Sequence, residues 1–428
     1  SINSFVTANA STLASNGDAY AIGYYDNYSD EWENYTTSSN GYPFNGNFLL
    51  GMGFQMATIS GGTLKFTGAP AATNKTLPII DFSVVVGEGG GEGTKWNLVA
   101  NPFPSYIHGN TSADSSNNFL TINSEKLHDS YQAIYGYDAD GSGFTVYNNT
   151  SAALRIAPGQ AFMVASDNPN VGNPDVLSFT TAMRTTEGDD DFIAGRNSEN
   201  SFELILKLYE GDSEIDHTKF YFGDGLGLDL DPGYDAGHFN QGASLMSRLV
   251  EEDEGVGLVI NAMGIESAND VVVPIELNRE AGNNFRISIG TFNIDTAINV
   301  YLEDNVQETM TLLNDQDFEL TAENELSGAG RFFIHLTETV LSIDDKIETN
   351  YLNVFKADVN NFITVEGLAN QSNLTKLRLY TIHGKEVISA TLNNNNKQLI
   401  STQGLSPGIY IVKLESGNIL LTKKLFLK

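Results

Sequence analysis

Four aspartates, Asp224, Asp229, Asp231 and Asp235, fall within twelve residues of the glycine-rich stretch GDGLGLDLDPGYD. Hard carboxylate oxygens on a loop that glycine allows to bend suit calcium. These four are therefore the candidate metal ligands, and calcium the candidate cofactor. The spacing does not match an EF-hand loop, because no glycine and closing glutamate fall in the required places. Asp is also a favoured turn residue, and a solvated acidic loop accounts for the same four positions. Glu251-Glu252-Asp253-Glu254 reads as a charged turn. Asp138-Ala139-Asp140-Gly141-Ser142-Gly143, set between two aromatic stretches, reads as a hairpin turn.

Catalytic chemistry finds less to work with. The six histidines, His108, His128, His217, His238, His335 and His383, form no HExxH pair, and no two stand four apart. His335 alternates with apolar neighbours, as a satisfied core or interface histidine would, and His238 reads as a surface loop histidine, with joining a metal site beside the aspartates as the alternative. There is no G-x-S-x-G elbow and no Walker loop. GEGGGEGT (87–94) precedes no helical pattern and reads as a flexible spacer. Among 54 acidic residues no carboxylate pair stands out for glycoside hydrolysis. The chain has no cysteine, which removes disulfides, thiolate metal sites and cysteine nucleophiles. Catalytic residues are thus expected to be absent from this chain. Trp32, Tyr35, Tyr42 and Phe44 offer flat rings for stacking on sugars, although their place in a patterned β-region also fits a packing role.

The elements behind these residues are strands. In 428 residues, 41 glycines, 24 phenylalanines and 18 tyrosines favour short strands and many turns. Helical periodicity is confined to Gly242–Glu252 and Ser124–Ile134. No apolar run reaches the roughly 20 residues of a membrane-spanning helix. The formal net charge of −31 repels nucleic acid and anionic membranes alike. That charge is unevenly placed: residues 341–428 hold ten Lys/Arg against seven Asp/Glu, while the preceding residues hold thirteen against forty-seven. The sign change marks a boundary and a separate role for the tail.

The first half repeats. Residues 19–68 and 131–184 each run through a Tyr-rich strand ending Tyr-Asp, a polar turn, an aromatic strand, a Gly-x-x-Phe strand and a Leu-x-Phe-Thr strand. Tyr25-Asp26 aligns with Tyr137-Asp138, and Phe54 with Phe162. The second copy has the lead-in KWNLVANPFPSYI (95–107). The first has only SINSFVTAN, which reads as a chain that begins partway through that copy. The segment Asn97-Leu98-Val99-Ala100-Asn101-Pro102-Phe103-Pro104, with IAPGQAFMV (156–164) and LSFTTAMR (177–184), resembles a pattern of large exported proteins of Bacteroidota. Residues 199–338 then offer eight short alternating segments, from SFELILKLY to RFFIHLTE, at the spacing of a β-sandwich or jelly roll. The short Asp295-Thr296-Ala297 resembles the O-glycosylation signal of these bacteria and also suits an ordinary turn.

The tail carries four ordered marks. Phe355 precedes an ITVEG strand; Leu379-Tyr380 precedes Gly384 and Lys385; Leu405, Pro407 and Gly408 lead to Tyr410 and Val412; and Lys423-Lys424 precede a last apolar strand. Together they resemble the type A C-terminal sorting domain of type IX secretion substrates. The polar Asn393–Asn396 run lengthens one loop relative to that pattern. The resemblance implies a small immunoglobulin-like sandwich that takes its passenger across the outer membrane to the cell surface or medium. Its implied partners are the type IX translocon, a β-barrel shuttle protein of the outer membrane and a surface sortase.

The resulting expectation is an all-β chain of tandem sandwich or jelly-roll modules ending in an immunoglobulin-like sandwich. Its divisions are residues 1–94 and 95–198 for the two copies, 199–339 for the acidic sandwich and 340–428 for the sorting domain. The passenger is expected to be a non-enzymatic adhesin, stalk or surface-assembly component that contacts surface glycans or other cell-surface proteins. Two alternatives stand beside it: non-catalytic modules trailing a larger secreted hydrolase, and a glycan-binding module.

Overall fold

Asparagine side chains, more than apolar runs, fix the path of the chain through its first half. Asn97 accepts from the backbone of Ile80 at 3.1 Å and donates back to it at 3.0 Å. Asn101 donates to the carbonyls of Ser105, Ile156 and Ala157. An amide group satisfies backbone donors and acceptors that no strand partner reaches. The NLVANP segment is therefore a strand, Trp96–Ala100, bracketed by two backbone clamps.

A computed structural model describes residues 1–37, 46–83, 93–137, 144–188, 202–239, 242–294, 297–339, 351–356, 361–369, 371, 373–394 and 397–427. They form two compact units, Ser1–Ser198 and Glu199–Lys428. Both are built almost entirely of β-structure, in the sandwich architecture that the alternation implied.

In the first unit, strand Ala19–Asp26 pairs on one side with Glu31–Thr36 and on the other with Gln55–Met56. Strand Ile134–Tyr137 pairs in the same order with Phe144–Tyr147 and Ala161–Ala165. The two repeats therefore share a pairing order. They differ at their ends. Leu64–Thr67, aligned in sequence with the closing strand Asp175–Phe179, is not a strand. Its backbone is held by Asn9, which accepts from the Lys65 amide at 2.7 Å and donates to the Lys65 carbonyl at 3.0 Å. Asp175–Phe179 pairs instead with Lys75–Ile79, placing Leu177 opposite Leu77. Leu77 and Ile79 lie in the core of the second repeat, with Phe162 and Phe179.

A helix the sequence reading missed, Ile2–Asn9, opens the chain, its first turn capped by the Ser1 hydroxyl. Ile2, Phe5 and Val6 lie on one face at helical spacing and pack with Leu13, Ile22 and Tyr35. Ser124–Ile134, read as helical, holds two short 3₁₀ turns, Ser124–Lys126 and Asp129–Tyr131.

In the second unit, eleven strands make one sheet. Its order runs Thr309–Leu312, Asn299–Asp304, Phe332–Thr337, Asp270–Asn278, Ser244–Ser247, Leu258–Gly264, Ser213–Gly223, Phe202–Glu210, Asn284–Asn293 and Phe318–Thr321. Ala236–Gly237 pairs off this path. Phe318, at one end, stacks edge-on against Phe332, near the other, at 5.9 Å. The sheet thus folds over on itself around a core that includes Leu206, Phe220, Val273, Phe285 and Ile334. Ser244–Ser247 is a fully buried strand where the sequence suggested helix over 242–252. Neighbours on both sides supply its hydrogen bonds, and tertiary pairing overrides weak local periodicity.

The tail forms two small sheets. One holds Asn353–Lys356, Phe362–Glu366 and Lys397–Ser401; the other holds Glu386–Leu392, Thr375–Thr381, Gly408–Ser416 and Ile419–Leu427. Their alternating inward residues, among them Val365, Leu379, Val412, Leu414 and Leu425, make a separate apolar core.

Candidate functional site

The four sequence marks of the tail sort into builders and exposed groups. Gly384 sits in the turn between Thr375–Thr381 and Glu386–Leu392 with φ of 78°, and its amide donates to the Thr381 carbonyl at 2.9 Å. Open space surrounds it, so the requirement for glycine is conformational rather than steric. Tyr410 is buried, and its hydroxyl donates to the Ser406 carbonyl at 2.8 Å, closing the turn that contains Pro407 and Gly408. Val412 is fully buried and Leu405 packs on the same core. Lys385, Pro407 and Lys424 are exposed.

Strand alternation separates the two neighbouring lysines. Lys423 stands opposite Val412 and Lys424 opposite Ile411, so they emerge on different faces of the sheet. The face carrying Lys424 also carries Ile409, Phe426 and Lys413, with Tyr380 and Arg378 from the adjacent strand. Phe426 is 55% exposed and Ile409 45%. The result is an apolar face studded with cations. Among the described residues, Ile419–Leu427 is also the last strand of its sheet, with Asn353–Lys356 of the other small sheet close by.

Lys423 turns toward the large sheet. Its ammonium donates to the Asp253 carbonyl at 2.7 Å and pairs with Glu254 at 3.1 Å. Behind it lies a buried charge cluster that the sequence reading missed. Arg248, 1% exposed, bonds Glu276 at 2.7 Å, Glu366 of the tail at 2.9 Å and Asp253 at 3.4 Å. Burial alone would lower the guanidinium pKa, but the surrounding Glu276, Glu366 and Asp253 carboxylates hold it well above its usual value. Burial raises the pKa of Glu366, and Arg248 acts against that shift. Tyr351 and Asn353 of the tail donate to Asp253 at 2.9 and 3.0 Å. One signal was legible: in FITVEG a carboxylate ends an otherwise apolar strand.

The aspartate loop is bound up with its own backbone. Asp235 is fully buried and accepts from the Asp231 and Ala262 amides, both at 2.7 Å. Asp231 accepts from the Gly227 amide at 2.7 Å. Burial, opposed by those two amides, pushes the Asp235 carboxyl up to about 7. Asp224 and Asp229 lie in the same loop, and among the described residues no three acidic or histidine side chains converge to hold a metal. His238 pairs with Asp216 at 2.9 Å and His335 with Glu303 at 2.7 Å, both pairs buried. His335 is thus a core histidine held through Nε2 by Glu303, but not the fully satisfied one its alternation suggested, because its buried Nδ1 has no hydrogen-bond partner among the described residues. His238 is not the surface histidine expected. A cleft of about 550 Å³ is lined by Glu210, Ser244, Asn278, Arg279 and Glu325, among others. Arg279 there pairs with Glu210 at 3.0 Å.

In the first unit, Trp32 is 43% exposed and lies 5.5 Å from the Tyr25 ring, whereas Tyr35 is buried. Tyr42, Phe44, the 138–143 turn, most of the 87–94 spacer and Asp295-Thr296 lie outside the described residues.

Two family models match. Residues 2–336 match the family described as a domain of unknown function, DUF8693, and the chain belongs to that family. Residues 357–428 match the secretion system C-terminal sorting domain. That domain marks the chain as a type IX secretion substrate, exported across the outer membrane to the cell surface or medium. No curated protein matches the chain.

Proposed function

We propose that this member of the DUF8693 family is a non-enzymatic surface component, an adhesin, stalk or assembly subunit, delivered by its sorting domain. The observation that carries this reading is how the passenger's reactive side chains are occupied. His238, His335, Asp216, Glu303, Asp231 and Asp235 are engaged in buried pairs or backbone caps. Such groups hold strands together and are poorly placed to exchange protons with a substrate. The outward sheet face of the tail, with Lys424, Phe426 and Ile409, suits the barrel shuttle and the translocon as partners. Lys385 and Pro407 are exposed for the same readers, and the sortase acts on the tail after transit. In this scheme Gly384, Leu405, Gly408, Tyr410 and Val412 keep the signal folded.

The test compares cells displaying the full chain with cells displaying the sorting domain on an inert carrier. Loss of cell–cell aggregation or of surface attachment in the second strain is expected. Equal attachment by both strains excludes the adhesive role.

A glycan-binding reading rests on the half-exposed Trp32 beside Tyr25. Retention on a glycan array that disappears in Trp32→Ala supports it, and an array without signal removes it. Calcium belongs to the same reading through Asp224, Asp229, Asp231 and Asp235. A rise in unfolding temperature with calcium, reversed by EGTA, is the outcome that supports a metal there.

A further inference from the structure

Two strands of the tail's three-stranded sheet, Asn353–Lys356 and Phe362–Glu366, are covered on both faces, while Lys397–Ser401 stays exposed outside. In Phe362–Glu366, inward Ile363 and Val365 are buried in the tail's own core, yet outward Thr364 and Glu366 are buried as well. In Asn353–Lys356 the first three residues are buried. What covers the outer face is the large sheet of the same unit. The approach is close enough to need glycine. A Cβ on Gly255 would stand 2.1 Å from the Phe355 ring, and one on Gly330 would stand 2.7 Å from the Gly367 Cα. Phe333 of the large sheet meets Tyr351 ring to ring at 6.2 Å.

Charge closes the same interface. Glu366 and Arg248 are 118 positions apart, and both are buried where they meet. Tyr351, Asn353 and Lys423 of the tail all converge on Asp253, and Lys397 of the tail reaches Glu366 at 3.5 Å. Separating the two surfaces would leave Arg248 without one of its carboxylates and Asp253 without three donors. An interface of complementary buried charges with glycine-tight contacts resembles a specific association more than a tether.

We propose that residues 351–427 are clasped non-covalently to the 202–339 sandwich through the Arg248 cluster, so that cutting the connector between Thr339 and Tyr351 does not release the tail. The interaction surface is the passenger face formed by Arg248, Asp253, Glu254, Gly255, Glu276 and Gly330, and its partner is the chain's own sorting domain. The two lysines then have separate work. Lys423 belongs to the clasp, and Lys424 stays on the open face. Removal of the tail at the cell surface requires breaking the clasp as well as the peptide bond. This inference stands on the interface alone and does not depend on the passenger's role.

The test places a specific protease site between residues 339 and 351 of the full chain, cuts it to completion and follows both pieces by gel filtration at micromolar concentration. The two pieces are expected to elute together. The cut Arg248→Met chain is expected to release its tail. Because that variant risks misfolding, Lys423→Met and Asn353→Ala serve as tail-side changes that leave the passenger untouched; each is expected to raise the released fraction several-fold, with Lys424→Met unchanged. Prompt separation of the unsubstituted pieces overturns the proposal. So does co-elution that all three clasp variants leave intact.

Discussion

The large sandwich of residues 202–337 and the tail of residues 353–427 bury charge by opposite rules. The sandwich withdraws Glu203, Asp235, Arg248, Asp253, Glu276, Arg279, Glu303, Asp304 and His335 from water. Most are paired: Arg331 grips Asp304 with two bonds of 2.9 and 2.7 Å, and His335 holds Glu303. In the tail, among the described residues, the one buried charged side chain is Glu366, and its shorter ion pair is with Arg248 of the sandwich rather than with Lys397 of the tail. The tail's own core is apolar and needs only strand alternation to form. The sandwich relies on pairs that assemble only when distant strands meet, and its interface with the tail belongs to that second kind.

The strongest way to break this contrast is Arg248→Met. Removing the guanidinium leaves Glu276, Asp253 and Glu366 facing one another without it, and loss of one partner from a buried ionic cluster costs about 3–5 kcal/mol. Urea unfolding is expected to show a loss of that size. A loss below about 1 kcal/mol would mean that water reaches the cluster. Next comes Leu414→Ala, a fully buried position in the tail. It should cost about 2–5 kcal/mol, borne by the tail, with the tail's amides losing hydrogen-exchange protection before those of the sandwich.

Asp235→Asn has a smaller effect. It replaces one of two amide acceptors with a donor, for a loss of about 1–3 kcal/mol. Its pH dependence has a definite sign. Burial raises the folded Asp235 carboxyl to about 7, against an ordinary value of 3.8. Over the interval between those values the folded chain holds the proton more tightly. The contribution of Asp235 is therefore complete below about pH 4 and lost as pH rises through about 7. The stability gap between the two proteins is expected to narrow from pH 5 to pH 8. A gap that widens would place the folded pKa below the unfolded one. Smallest is Lys424→Ala, on the exposed face. Its stability should stay within about 0.5 kcal/mol of the parent, while surface display falls; unchanged display would remove Lys424 from the signal.

The same contrast explains what the sequence disclosed. In the tail, GIYIVKLES alternates cleanly, and its buried positions Tyr410, Val412 and Leu414 are those alternation selects. Gly384 and the Ser406–Tyr410 turn were legible because local chemistry requires them. Pairings across long separations were not. Nothing near Arg248 announces Glu366, and the buried strand Ser244–Ser247 has the composition of a weak helix. The NLVANP asparagines were recognised as a motif, but their work as backbone clamps depends on Ile80, Ile156 and Ala157, which only the fold brings near. Helix Ile2–Asn9 was overlooked because eight residues carry little periodicity, and its packing partners lie further along the chain.

Surface localisation tests the central claim most directly, using the full chain, a chain lacking residues 340–428, and residues 340–428 fused behind a neutral fluorescent protein. The truncation exposes the Arg248 cluster and risks misfolding by itself, so the fusion decides. The account predicts that the truncated chain stays inside the outer membrane and that the fused reporter reaches the surface or medium in a host with type IX secretion, but not in a translocon-deficient strain. A reporter retained in the periplasm of the competent host, or a truncated chain that still reaches the surface, would contradict it.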